Sequence, residues 1–277
     1  MKNILVTGGA GFIGSHLLEE LVKEENYNIT VIDDLSTGKI ENIPTSSRIN
    51  FLNLKIKDTN IRRGKFDLIW HLAAKIDARG KGLKDFRDNV DSTETVTKML
   101  KPKGHIYFSS SCAVYGNQSI VNEESSFQPI CLYGYSKWMN ELTIKNNCQN
   151  YTIFRFGNVF GERQDGSKEA GLLAVIAFNL KNDTIMQVFN QGKNYRDYIY
   201  VKDVVKALIT INKQDTFQIG NNKIYNTLDL VKLSNVKWKY GAYNDNEIDT
   251  IKLDNTKIKK EGWKATLTVK EYIKGLK

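Results

Sequence analysis

Short apolar runs alternate along this chain with stretches whose apolar residues recur at helical spacing. Ile4-Leu5-Val6-Thr7 is the first run, and it leads through Gly8-Gly9-Ala10-Gly11-Phe12-Ile13-Gly14 into the amphipathic stretch Ser15 to Lys23. A second run, Ile29-Thr30-Val31-Ile32, ends on Asp33-Asp34. Together they predict strand, glycine turn, helix and strand, which is one complete βαβ unit. Phe66 to Ala74 predicts another buried strand, ending in small side chains. The polar stretch from Lys81 to Leu100 predicts a helix with Val90, Val96, Met99 and Leu100 turned inward. His105-Ile106-Tyr107-Phe108 predicts a strand that runs into Ser109-Ser110-Ser111. A helix is expected after Tyr133, through Leu142 toward Asn146, and Tyr151 to Phe156 is the next strand.

Beyond Gly161 the pattern loosens. Gln164 to Lys168 predicts a polar loop, Leu172 to Leu180 a helix, and Arg196 to Val205 a passage from strand to helix. This alternation implies an α/β chain: a Rossmann-type, doubly wound parallel sheet covered on both faces. Residues 1–160 are expected to form its main domain, with Arg196 to Ile211 returning to it. Residues 161–277 are expected to form mostly a smaller C-terminal α/β substrate lobe, closing over the sheet's C-terminal edge, where α/β ligands sit. No internal repeat or low-complexity linker interrupts the pattern.

Composition adds bounds rather than identity. The 277 residues are 41% hydrophobic and 26% charged, enough for a sizeable core and unlike a disordered chain. The net charge of +9 comes largely from Lys spread beside Asn and Ile, which reads as compositional bias. Attraction to anionic ligands such as nucleotide diphosphates is the sharper alternative. No dense basic run or recognition motif points to nucleic acid. Three cysteines, Cys112, Cys131 and Cys148, with no Cys-x-x-Cys, suggest a reducing compartment and no structural metal site. The first strand begins at the first residues, which leaves no room for a signal peptide, and no apolar run is long enough to span a membrane. A cytoplasmic location is expected.

The candidate chemistry falls at the ends of the predicted strands. Gly8 permits a tight turn, Gly11 lets backbone approach a pyrophosphate, and Gly14 lets the helix pack close. The helix N-terminus then offers unpaired N–H groups to phosphate. Asp33, about twenty residues beyond the last glycine, is placed to meet the adenosine ribose hydroxyls. A carboxylate there repels a 2′-phosphate, so NAD is expected rather than NADP. Tyr133 and Lys137 are spaced to share one helix face. A nearby ammonium, aided by a positive nicotinamide ring, would lower the phenol pKa from about 10 and make Tyr133 a general base. Ser111, at a strand end, would bond the same substrate oxygen.

With these motifs the chain resembles the extended short-chain dehydrogenase/reductases, in the NAD-dependent epimerase/dehydratase branch, and the UDP-glucose (UDP-galactose) 4-epimerase pattern most of all. The likeness runs through Thr7 to Gly14, Asp33 to Gly38, His71 to Ala74, Asn89-Val90, Ser109 to Ser111 with Val114-Tyr115-Gly116, and Tyr133 with Lys137. It continues through Arg155, Asn158 to Gly161, Arg196 to Val201, Leu253-Asp254 and Gly262-Trp263.

The resemblance implies catalysis by Ser111, Tyr133 and Lys137 on a nucleotide sugar, through a transient 4-keto intermediate with NAD retained. It implies cofactor contacts from Gly8, Gly11, Phe12, Ile13, Gly14, Asp33, Asp34, Ser36, Thr37, Gly38, Ile56, Leu72, Ala73, Ala74 and Asn89, besides Tyr133 and Lys137. It implies substrate contacts from Lys75, Ser111, Asn158, Leu173, Phe189 and Arg196, with Asn158 and Arg196 on the diphosphate and Phe189 against the nucleobase. It also implies a homodimer, paired through the helices after Asn89 and after Tyr133.

Relatives that dehydrate or decarboxylate carry an acid beside the serine, and this chain has Cys112 and Ala113, which favours epimerisation. Cys112 as an acid/base is the alternative to a small buried thiol. Two departures stand out. Lys55-Ile56-Lys57-Asp58 replaces the family's Asp-Ile-x-Asp at the adenine, and Asn244-Asp245-Asn246-Glu247 replaces a late Arg-Pro-Gly segment on the diphosphate. Lys237 or Lys239 is the candidate substitute for the lost arginine. A dehydrogenase or reductase, an epimerase of GDP- or dTDP-sugars, and a catalytically silent nucleotide-binding protein are the remaining readings.

Overall fold

The computed structural model describes residues 1–76, 82–167, 171–243 and 248–276. Five strands come first: β1 Lys2–Thr7, β2 Tyr27–Asp33, β3 Ile49–Asn53, β4 Phe66–His71 and β5 Leu100–Ser111. They are followed by β6 Ile120–Val121, β7 Asn150–Phe156, β8 Asn158–Phe160, β9 Met186–Val188, β10 Tyr195–Tyr200, β11 Asp215–Ile219, β12 Ile224–Asn226, β13 Trp238–Tyr240 and β14 Thr250–Leu253. The longer helices are α1 Phe12–Leu21, α2 Leu83–Met99, α3 Leu132–Asn147, α4 Leu172–Asn182 and α5 Val201–Thr210. Shorter ones follow: α6 Thr227–Ser234, α7 Thr256–Lys260 and α8 Val269–Gly275.

Seven parallel strands form the main sheet in the order β11-β7-β5-β4-β1-β2-β3. Alternate residues of a strand face opposite sides, and both sides are apolar here because both are covered. Ile4 and Val6 of β1 join one core, against Leu17, Leu18 and Leu21 of α1 and Val204 and Leu208 of α5. Leu5 joins the other, with Val96 and Met99 of α2 and Ile144 of α3. The chain order reverses between β1 and β4, so the carboxyl ends of β1, β4 and β5 lie side by side at the place where open α/β sheets bind ligands.

The stretch that rejoins this sheet runs on from α5 to Ile219, since β11 pairs with β7 in parallel. Trp263 also packs into the sheet's core, and its indole N–H donates to the Asp203 carbonyl of α5 at 2.9 Å. The C-terminal lobe has its own core, including Phe160, Ile176, Val188, Tyr200, Val231 and Ile273. A smaller sheet, β12-β10-β14-β6 with β8 beside β10, connects the lobe to the main domain. The start of the predicted 81–100 helix, Lys168 of the predicted polar loop, and the Asn244 to Glu247 segment lie outside the described residues.

Candidate active site

The glycine turn fits a dinucleotide by backbone geometry. Gly8 has φ +73°, where side chains are disfavoured, and a Cβ there would meet the Ala73 backbone at 2.8 Å. A Cβ on Gly14 would lie 2.1 Å from the Gly8 carbonyl oxygen. The turn and the start of α1 are therefore drawn tightly together. Asp33 fixes the same loop: its carboxylate accepts from Ala10 N at 3.0 Å and Leu35 N at 2.9 Å. Burial raises the Asp33 carboxyl pKa against those backbone donors. Gly38 packs on Ala10, while Ser36 bonds Asp34 through its hydroxyl at 2.6 Å. Phe12 and Ile13 begin α1 and lie partly buried against the lobe's core. Thr37 lies in the exposed loop between Asp34 and Gly38.

Several of the candidate residues lie at the ends of β4 and β5. His71 is fully enclosed: its Nδ1 faces Thr7 Oγ1 at 2.7 Å and its Nε2 faces Thr93 Oγ1 at 2.9 Å. Thr93 gives its own proton to the Asn89 carbonyl, so Nε2 carries the hydrogen and Nδ1 accepts from Thr7. Burial, with Lys137 nearby, holds the ring neutral with a pKa of about 3. Leu72 and Ala73 continue from this strand, and Ala73 N donates to Thr7 Oγ1 at 3.3 Å; Ala74 follows in the same segment.

Ser111, Tyr133 and Lys137 come together at the end of β5 and the first turns of α3. Ser111 caps the turn after β5, accepting from Ala113 N at 3.1 Å, and its side chain hydrogen-bonds the Tyr133 phenol. Lys137 is 2% exposed; its Nζ donates to the Ser109 carbonyl at 2.5 Å and lies 5.7 Å from the Tyr133 ring centroid. The electrostatics differ from the expectation that Lys137 lowers the phenol. Burial raises the Tyr133 pKa strongly, and the Ser111 hydrogen bond is the influence that favours the phenolate. Burial likewise pulls Lys137 down to about 7, opposed by Glu141. A dry site penalises both charges, so the pair alone does not generate a phenolate.

Other expected residues are placed more variously. Asn89 turns its amide on the protein, with Oδ1 accepting from Lys75 N at 2.9 Å and Nδ2 donating to Lys75 O at 3.0 Å. The Lys75 ammonium pairs with Asp85 at 3.2 Å and Asp88 at 3.4 Å, on the wall of a small cavity that Tyr133 also lines. Ile56 is buried under the sheet edge. Lys57, in the altered adenine segment, reaches Asp88 at 3.2 Å. Asn158 ties β8 to the Asp197 carbonyl at 3.4 Å. Arg196 donates to the Asp249 carbonyl at 3.1 Å, and its charge reaches Cys112, next to the serine. Phe189 packs near Gly241. Leu173 is 1% exposed, inside the lobe's core. Lys237, a candidate substitute on the diphosphate, pairs with Asp183 at 2.7 Å. No group of acids, histidines and cysteines among the described residues could hold a metal ion.

Sequence reasoning gave no role to Glu141 and Arg155, which form a buried pair beneath the trio. The available signal was Glu141's position one turn beyond Lys137 on the same helix face.

Residues 4–226 match the family model described as the NAD dependent epimerase/dehydratase family. A Methanocaldococcus jannaschii protein that carries the name UDP-glucose 4-epimerase provisionally is 34% identical over 98% of this chain and 96% of its own. The Lactobacillus helveticus UDP-glucose 4-epimerase is 29% identical over 94% of this chain and 91% of its own. The Thermotoga maritima UDP-glucose 4-epimerase, solved with UDP-glucose, superposes with a TM-score of 0.85 at 28% identity, covering 98% of this chain and 96% of that one. With a family model matched over most of its length and a relative 34% identical across nearly all of it, this chain belongs to the NAD-dependent epimerase/dehydratase family.

Proposed function

We propose that the protein is an NAD-dependent nucleotide-sugar epimerase of the UDP-glucose/UDP-galactose 4-epimerase kind. The observation that carries this reading is the convergence of Ser111, Tyr133 and Lys137 with no carboxylate next to the serine. Cys112 occupies that place, and burial pushes its thiol up to about 11, so it stays protonated and does not act as a base. The names of the relatives support the same substrate class.

Tyr133 takes the proton from the sugar hydroxyl, which is O4 in this reading, and Ser111 hydrogen-bonds the same oxygen. Bound NAD supplies the hydride acceptor and a positive ring beside the phenol. Lys137, held by the Ser109 carbonyl, orients the cofactor's ribose side. The keto sugar presents its other face, and Tyr133 returns the proton as the alcohol re-forms. Arg196 and Asn158 hold the diphosphate.

The same reading includes a homodimer. Tyr135, Met139 and Leu142 form an exposed apolar stripe on α3, spaced for a helix partner, and Leu83 is exposed on α2 beside it. A cytoplasmic location accords with cysteines that form no disulfide among the described residues, and no helix among those residues is long and apolar enough to cross a membrane.

The test is incubation with UDP-, GDP-, dTDP- and CDP-sugars, with and without added NAD+, and separation of the products by chromatography. Interconversion of UDP-glucose and UDP-galactose is expected, and Tyr133→Phe should abolish it while keeping the cofactor. Net release of NADH with substrate would instead mark a dehydrogenase.

A further inference from the structure

Two buried charges lie directly beneath the catalytic pair. Glu141 follows Lys137 by one helical turn and is 1% exposed. Its carboxylate accepts from Arg155 Nε at 2.9 Å, Arg155 Nη2 at 2.8 Å and Ser110 Oγ at 2.5 Å. Arg155 is 2% exposed, and its Nη1 donates to the Tyr115 hydroxyl at 2.5 Å and the Glu123 carbonyl at 3.0 Å. The guanidinium lies 5.1 Å and 4.7 Å from the Tyr115 and Phe127 ring centroids. Most of these contacts fall on elements that carry catalytic groups. Ser110 precedes Ser111, Tyr115 closes the turn after it, and Glu141 shares α3 with Tyr133 and Lys137. A buried ion pair adds little stability over apolar packing of the same volume, so stability alone does not account for one here.

We propose that Glu141, fixed by Arg155, is a positioning residue for the catalytic lysine: its carboxylate is the buried counter-charge that keeps Lys137 an ammonium, and its bonds lock the end of β5 to α3.

The groups around Lys137 leave this task to Glu141. β4 presents His71, which is neutral, and α2 presents the uncharged Asn89 and Thr93. Tyr133 lies on α3 itself, and Cys112 and Cys131 flank the phenol. Arg196 and Asp197 of β10 face Cys112 from the far side. Arg155 and Tyr115 are engaged with Glu141 and with each other. Burial lowers Lys137, and the Glu141 carboxylate one helical turn away is the charge that opposes this.

The inference rests on the epimerase reading only for turnover, so the first readout is Lys137 itself. Protein labelled with 15N at the lysine side chains is titrated by NMR, with and without NAD+, and Lys137→Arg identifies the signal. In E141Q/R155M, which removes both charges and keeps most of the volume, the Lys137 midpoint should fall by on the order of one pH unit. The alkaline limb of the turnover profile should move down with it. E141D, which keeps the charge but draws it back, should give a smaller shift in the same direction. An unmoved Lys137 midpoint in E141Q/R155M overturns the proposal, since a purely structural pair would leave it in place. If that variant does not fold, an unmoved midpoint in E141D overturns it equally. A moved midpoint in a protein that turns over no nucleotide sugar supports the positioning role and sinks the epimerase reading instead.

Discussion

Replacing Gly14 with alanine tests the dinucleotide site at its tightest point. The added methyl would lie 2.1 Å from the Gly8 carbonyl oxygen and 2.8 Å from both the Gly8 carbonyl carbon and Gly9 Cα. All three are backbone atoms, so no side chain can swing aside. Real Cβ contacts essentially never fall below 3.0 Å, so α1 must draw back by at least the difference, 3.0 − 2.1 = 0.9 Å. Over-packing of this kind costs about 1–3 kcal/mol, which lowers the melting temperature by a few degrees or more in a domain of this size. The larger effect should fall on the cofactor. In the proposed cofactor site the amides at the start of α1 would face the pyrophosphate, and moving them by nearly an ångström would spoil several hydrogen bonds together. NAD+ affinity should weaken by roughly tenfold to a hundredfold, or about 1.4–2.8 kcal/mol. Isothermal titration with NAD+ and thermal denaturation measure the two effects. Gly275→Ala at the end of α8, where an added methyl meets open space, is the control and should change neither. A Gly14→Ala protein with wild-type NAD+ affinity and melting temperature would refute both the packing argument and the placement of the cofactor.

Three further outcomes follow from the geometry. His71 has its pKa depressed from 6.5 to about 3, so the unfolded chain binds the extra proton first as pH falls. Its contribution to stability is therefore complete above about 6.5 and is lost progressively between 6.5 and 3. Chemical denaturation across that window should show a shallower pH slope in His71→Gln. Arg155→Ala leaves the Glu141 carboxylate buried without its partner and should cost about 3–5 kcal/mol, read as a lower denaturation midpoint. If the proposed homodimer forms through α3, Met139→Asp, which places a charge within the exposed stripe, should give monomer rather than dimer in light scattering.

Most strands and helices of the nucleotide-binding half were legible because each had a local cause; β3, a half-buried strand at the sheet edge, was not among them. Short continuous apolar runs specify β1 and β2, a period-3.6 apolar pattern specifies α1, and glycines at three positions specify the turn between β1 and α1. Tyr133 and Lys137 were legible for the same reason, because one turn of helix puts both on one face whatever surrounds them. The 3₁₀ turn after Ser111, which sets the serine against the phenol, had no comparable pattern.

What the sequence determined by itself was therefore the glycine turn with its flanking strands and helix, and the helical spacing that puts Tyr133 and Lys137 on one face. Only the folded chain decided which charges those residues meet. Burial raised the phenol and lowered the lysine, because desolvation depends on neighbours far away in sequence. Arg155 reached Glu141 from another strand, Thr7 and Thr93 fixed the His71 tautomer from β1 and α2, and β11 returned to complete the sheet after the lobe had begun. These are long-range pairings that close between elements with no shared period, and a pattern read along one segment carries no record of them.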